Sequence, residues 1–309
     1  MDDSGQPDCW APHPLWTASG VDQQELPRAL YVVATPIGNA ADVTLRALWV
    51  LRNADCIAAE DTRVTAPLLR RYGIRTRLVA LHRHNEHGAS EQLLARLAQG
   101  ERVALVSDAG TPGVCDPGAV LVRSALAAGL RVIPIPGASS LTAAISAAGL
   151  RAASVRLIGF LPTRAQARSR LLVQAAARDE AFVLFEAPHR IEKTARELAR
   201  VLPPQRRVVL ARELTKMFEA VVQTTAGGLV DAVSLQGDRG EFVVLVDGPD
   251  AAHSAPAGLD EAAQRWLQAL ARELPAARVA AVVSQVTGIA RQQVYAAVLQ
   301  AQASAPAAS

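Results

Sequence analysis

Residues 103–122 read "VALVSDAGTPGVCDPGAVLV": an aliphatic run, then a loop with three glycines and two prolines, then a second apolar run. The first run predicts a buried strand and the last a helix. A glycine-rich loop between them brings bare backbone against a ligand. Loops that cradle phosphate recruit lysine or arginine, but no basic residue occurs between Arg102 and Arg123. The loop carries Asp108 and Asp116 instead, which favours a ligand with positive charge over a polyphosphate.

The same grammar extends in both directions. From Ala29 onward the strands "LYVVAT", "CIAAE", "RLVAL", "RVALVS" and "RVIPIP" alternate with helical segments such as "DVTLRALWVLRNAD", for which Asp42 is a candidate N-cap. Near-continuous apolar strands between amphipathic helices predict a parallel sheet covered on both faces, so the fold class is α/β. A second α/β set follows at 151–248, where "RRVVLARELT" and "FEAVVQTT" succeed each other with no helix between and predict a mixed sheet. The expected organisation is a disordered extension at 1–28, α/β domains at 29–150 and 151–248, a linker at 249–258 and a helical domain at 259–309. In the last of these, two short helices flanking Gly288 read either as a helix-turn-helix or as a plain packed bundle.

Composition narrows the class. Of 309 residues half are hydrophobic and a fifth charged, with a formal net charge of +3. No apolar run reaches the ~18 residues that span a bilayer, and "MDDSGQPDCWAPHPLW" lacks the apolar core of a signal peptide. A cytoplasmic protein with no membrane partner is expected. Cys9, Cys56 and Cys115 lie far apart, which excludes the usual zinc-finger and thioredoxin CxxC spacings, and their odd number argues against a disulfide framework. The positive charge is almost all arginine and permits nucleic-acid binding without requiring it.

Three loops share one character: "ATPIGN" (34–39), "SDAGTPGVCDPG" (107–118) and "PIPGASS" (134–140). All fall where strands hand over to helices, the edge at which open α/β sheets bind ligands. None holds lysine or arginine, and neither the P-loop nor the GxGxxG spacing is present. S-adenosyl-L-methionine, with a sulfonium, an ammonium and a flat base, suits such loops.

The blocks "LYVVATPIGN", "TLRAL", "AAEDTR", "VALVSDAGTPGVCDPG", "PIPGAS", "FEAPHR" and "ARELTK" together resemble the ribosomal RNA small subunit methyltransferase I family, within the tetrapyrrole-methylase-like class III methyltransferases. The resemblance runs from about Leu30 to Gly248, and the C-terminal helices are similar to a small domain of the same family. It implies two α/β domains with S-adenosyl-L-methionine in the cleft between them, a homodimer, and 2′-O-methylation of a decoding-region cytidine of 16S rRNA, with the small ribosomal subunit as partner. Carried over by motif, Pro36, Gly38, Gly110, Thr111, Val114, Ser139, Ser140 and Glu186 are implied to bind the cofactor. The superfamily often has Gly-Asp-Pro where this chain has Gly110-Thr111-Pro112, which lowers the expectation of a tetrapyrrole substrate.

A 2′-hydroxyl is weakly acidic, so a general base is expected. Asp61 and His189 lead the candidates, with Glu60 and Glu213 behind them. Asp61 also precedes a helical stretch and could simply cap it. The window "HRHNEH" (82–87) matches no zinc-ligand spacing, and no metal is expected there. Arg164, Arg168 and Arg170, like Arg63, Arg70, Arg71, Arg75 and Arg77, read as solvated faces or, with an RNA substrate, as phosphate contacts. Two other functions stay open: a same-fold methyltransferase acting on a small molecule such as a tetrapyrrole, and a non-catalytic RNA-binding assembly factor.

Overall fold

A computed structural model of the protein describes residues 14–237, 239–249, 261–287 and 289–303. The chain divides into two compact units between Gly248 and Pro249, so both sheets lie in one unit. The first sheet comprises β1 (Leu30–Val33), β2 (Cys56–Ala59), β3 (Leu78–Ala80), β4 (Val103–Val106) and β5 (Val132–Ile135). Their order is β3-β2-β4-β1-β5 and every pairing is parallel. Alternation along β1 explains the layering. Tyr31 and Val33 join Leu51 and Leu69, from α2 (Leu45–Asn53) and α3 (Thr62–Arg71), in one core. Leu30 and Val32 face the other way, towards Leu93 and Leu121 of α4 (Glu86–Ala98) and α5 (Ala119–Ala127).

Strands β1 and β4 are neighbours, yet the helices that follow them, α2 and α5, pack on opposite faces. That reversal opens a crevice beyond their C-terminal ends, the usual ligand position of open α/β sheets.

The second sheet holds β6 (Val155–Phe160), β7 (Ala181–Glu186), β8 (Arg207–Arg212), β9 (Ala220–Thr225) and β10 (Phe242–Val246), ordered β6-β7-β10-β8-β9. Only β6 and β7 pair in parallel; the other pairings are antiparallel. One face is covered by α7 (Ala165–Ala176), α8 (Pro188–Val201) and α9 (Leu229–Gln236), whose Leu172, Leu198 and Leu229 meet Leu184, Leu210 and Val244. The other face, with Val183, Phe185, Val209 and Val243, packs on α6 (Ser140–Ala148) and on Ile37, Val114 and Cys115 from the loops of the first sheet. The ligand edge of one sheet, with α6, is thus pressed against the face of the other that α7, α8 and α9 leave open.

Several local expectations change. Residues 14–28 are not a bare extension: a short helix α1 (Pro14–Ser19) and a 3-10 turn (Val21–Gln23) pack here, Val21 is buried, and Trp16 meets Trp49 with ring centroids 6.4 Å apart. Residues 1–13 lie outside the described residues. The N-cap of α2 is Thr44, whose hydroxyl accepts from the Ala47 amide, while Asp42 ends a separate 3-10 turn. Of the expected linker at 249–258 only Pro249 is described.

The second unit contains α10 (Glu261–Glu273), α11 (Ala276–Thr287) and α12 (Arg291–Ala303) around a small core of Leu267, Val279, Val283, Val294 and Val298. Gly288 lies outside the described residues.

Candidate active site

Between the sheets lies a cleft of about 340 Å³, within the range of small-molecule sites. Ile37, Val114, Cys115 and Asp116 line it from the loops after β1 and β4, and Ser140 from the start of α6. Phe160, Phe185, Glu186, Pro188, Leu214, Glu241 and Val243 line it from the second sheet. No lysine or arginine is among the lining residues.

The floor is stitched rather than loose. Thr35 and Gly110 exchange backbone hydrogen bonds of 2.9 and 3.0 Å, an isolated antiparallel bridge between the loops after β1 and β4. The Thr111 hydroxyl donates to the Ala138 carbonyl at 3.1 Å, adding the loop after β5. Gly137 must be glycine for this approach, because a Cβ there would lie 2.9 Å from the Ala34 Cβ.

The "HRHNEH" window supports the same loop from outside. Arg83 donates to the Cys115 carbonyl at 2.6 Å. The Glu86 carboxylate accepts from the amides of Gly118 and Val120 at 2.8 and 3.1 Å. Gly118 is the N-cap of α5 and has no side chain to offer, so Glu86 caps that helix from another element. Glu86→Ala is expected to cost about 1–2 kcal/mol, the value of a lost cap, with Glu86→Gln losing less. Chemical denaturation of the three proteins checks this; equal midpoints would remove the capping role.

The motif-derived residues separate into groups. Val114, Ser140 and Glu186 line the cleft. Pro36 and Gly38 flank Ile37, and the Lys216 side chain lies so close over Gly38 that a Cβ there would clash with it. Gly110 and Thr111 form the floor just described, and Ser139 caps α6 without a side-chain bond. Glu186 is buried and already engaged: it accepts from Thr194 Oγ1 at 2.7 Å and the Ala187 amide at 3.0 Å and pairs with Arg190 at 3.1 Å. Its first task is to hold the start of α8 in place.

The two foremost base candidates do not gather at the cleft. Asp61 caps α3 through the Arg63 amide and forms a 2.6 Å ion pair with the Arg63 guanidinium. Hydrogen bonding to Arg63 pulls its pKa down to about 2, which makes it a feeble proton acceptor. His189 is exposed on α8 and is not among the lining residues. Asp116, which the sequence marks only as pocket charge, lines the cleft, and burial raises its pKa. Burial likewise raises Glu60, with Asp116 and Asp108 adding repulsion, and raises Asp108. Phe160, Phe185, Leu214 and Glu241 also escaped the sequence reading, because each reaches the cleft from the second sheet.

The arginines divide too. Arg168 is buried, bonded to both Glu197 oxygens at 2.5 and 2.7 Å and to the carbonyls of Pro162 and Thr163. It is a brace and not a phosphate contact. Arg164 and Arg170 are exposed.

This combination of sheets and interfacial cleft defines a methylase class: the chain belongs to the tetrapyrrole (corrin/porphyrin) methylase family, whose model matches residues 29–230. Residues 257–302 match the RsmI C-terminal HTH domain. Among curated relatives, "Ribosomal RNA small subunit methyltransferase I" of Neisseria meningitidis serogroup B is 45% identical over 269 residues, 86% of this chain and 91% of that protein. The protein of the same name from Escherichia coli O157:H7 is 43% identical, covering 88% and 95%. Among solved structures, uroporphyrin-III-C-methyltransferase from Thermus thermophilus superposes with a TM-score of 0.52 at 21% identity, over 71% of this chain and 94% of that one. Diphthine synthase gives 0.54 at 20% identity, over 71% and 90%. The two structures share the fold. No helix among the described residues is long and apolar enough to cross a membrane.

Proposed function

We propose that the protein transfers a methyl group from S-adenosyl-L-methionine to the 2′-hydroxyl of a decoding-region cytidine in 16S rRNA, acting in the cytoplasm on the small ribosomal subunit. The observation that carries this reading is the cleft itself: glycine-floored, free of lysine and arginine in its lining, and set in a chain 43–45% identical to proteins named for methylating this RNA.

The lining fits the cofactor. The N-terminus of α6, at Ser139 and Ser140, presents amides with no side-chain cap to a carboxylate. Ile37, Phe185, Leu214 and Val243 supply apolar walls for the base, and no lysine or arginine in the lining opposes the cationic groups. Bound there, S-adenosyl-L-methionine supplies an electrophilic methyl on a leaving group that needs no further activation. What remains for the protein is alignment, exclusion of water and removal of one proton. Asp116 is the best placed acceptor for the proton: it lines the cleft, and its burial strengthens it as a base. The exposed Met217, Phe218 and Val221, on and beside edge strand β9, offer a surface for the second copy of a homodimer.

The test is direct. Purified protein, S-adenosyl-L-methionine labelled in the methyl group, and small subunits from a strain lacking the modification are incubated together, and the labelled ribose is mapped. Label on one decoding-region cytidine 2′-oxygen is expected. Label on a base, or none, overturns the assignment.

A further inference from the structure

Strand β6 is not regular. Its pairing with β7 runs Leu157 to Val183 and then Gly159 to Leu184, so Ile158 is an inserted residue. A one-residue insertion reverses the facing of every side chain beyond it. Val155 and Leu157 face the first half of the unit, together with Val183. In a regular strand Phe160 would therefore point with Leu184 into the core under α7 and α8. With the bulge it stands beside Phe185, ring centroids 5.8 Å apart, on the wall of the cleft. Gly159 is suited to the bulge: its φ is +75°, and a Cβ there would lie 2.6 Å from the Cys115 sulfur. The outcome is a phenylalanine left 54% exposed at a cleft wall when a core position was one residue away.

The chain leaving Phe160 enters a basic groove. Pro162, Arg164, Arg170, Leu171 and Gln174 line an open depression of about 600 Å³ that begins two residues on. Arg164 and Arg170 are exposed on it, and among the described residues neither pairs with a carboxylate. Arg168, between them in sequence, turns inward to Glu197, so the two free guanidinia share the outer side of α7.

We propose that Phe160 is the platform on which the target nucleobase stacks once it leaves its own stack, and that Arg164 and Arg170 hold the phosphates flanking it. The inference rests on the RNA-methylation reading above and adds where the strand runs. An unstacked base pairs its flat face with an aromatic ring whatever its identity, and single-stranded backbone follows positive charge. Presenting one ribose of folded RNA in line with a methyl donor is eased by pulling its nucleotide out of the stack, a cost that a ready stacking partner offsets.

The experiment compares the full-length wild type with Phe160→Ala, Phe160→Tyr and the double variant Arg164→Ala/Arg170→Ala. Steady-state methylation of small subunits is measured alongside calorimetric binding of S-adenosyl-L-methionine. Phe160→Ala should lower kcat/KM about 10- to 100-fold, the effect of losing one stacked base, with cofactor affinity within threefold of wild type. Phe160→Tyr should recover most of the activity. The arginine pair should reduce the slope of log affinity for RNA against log salt by about 1.4, two single-strand contacts at about 0.7 each. Full activity in Phe160→Ala overturns the inference while leaving the methylation reading intact. Equal losses in turnover and cofactor affinity also overturn it, placing Phe160 in the cofactor wall. A wild-type protein that methylates no RNA overturns both.

Discussion

Gly110→Val will abolish S-adenosyl-L-methionine binding while leaving a folded protein. Gly110 has φ +80°, where a side chain costs roughly 1–2 kcal/mol and a β-branched one more. A Cβ at this position would lie 3.3 Å from Ile37 Cγ2 and 3.8 Å from the Ala138 carbonyl oxygen, and the two further methyls of valine need space beyond that. The neighbour that must yield, Ile37, is a wall of the cleft. The strain is therefore relieved by filling the site or by breaking the bridge to Thr35. Calorimetry should show affinity reduced at least 100-fold, with Gly110→Ala intermediate and the thermal midpoint of the valine variant lowered by only a few degrees. Wild-type affinity in Gly110→Val would remove this loop from the binding site.

The largest effect on stability is expected at Asp247, just after β10. Its carboxylate is 1% exposed and accepts from the amides of Arg151 (3.1 Å), Ala152 (3.2 Å) and Gly248 (2.8 Å) and from Arg207 Nη1 (3.1 Å). Arg207 in turn donates to the Ala148 carbonyl at the end of α6 and to Gly149 just beyond it. One buried carboxylate thus ties the connection between the sheets to β8 and β10. Asp247→Ala removes the acceptor of three amides and the carboxylate paired with Arg207 and Arg151, and should cost about 3–5 kcal/mol, lowering Tm by roughly 10 °C. Burial alone would raise the pKa of Asp247, but the three amides and Arg207 outweigh it and hold the value below the usual carboxylate range. Its contribution is therefore complete above about pH 4 and is lost as pH falls further, through the folded-state value. Asp247→Asn, which cannot ionise, should be less stable than wild type at neutral pH, and the gap should narrow in acid. Denaturation midpoints between pH 3 and 7 test this; a gap that widens in acid would contradict the assignment.

The fold was legible because strands such as "CIAA", "VALV", "AFVLFE" and "FVVLV" are short runs buried along their whole length, set between helices with one apolar stripe. Periodicity reports such contrasts well. Finer features depended on information that local pattern does not hold. The capping of α5 by Glu86 joins residues 32 apart, and nothing near Gly118 announces it. The bulge at Ile158 shifts pairing without altering the apolar character of "VRLIGF", so the outward turn of Phe160 stayed hidden. Asp61 shows the reverse: "EDTR" offered both a base and a cap, and the adjacent Arg63 made it a cap. Arg168 was legible in retrospect. With Leu172 and Ala175 it forms an i, i+4, i+7 stripe, and all three are buried.

The stitching of the cleft floor also determines where ordering occurs. The Thr35–Gly110 bridge, the Thr111 to Ala138 bond, the Arg83 to Cys115 bond and the Glu86 cap fix three loops before any ligand arrives. Fixing a residue's backbone costs about 1–2 kcal/mol in conformational entropy, and here that cost falls on folding and not on capture of the methyl donor. A preorganised floor spares the donor the expense of ordering loops. Donor and spent donor then meet the same rigid surface, so exchange between them can proceed without remaking the loops at each turnover.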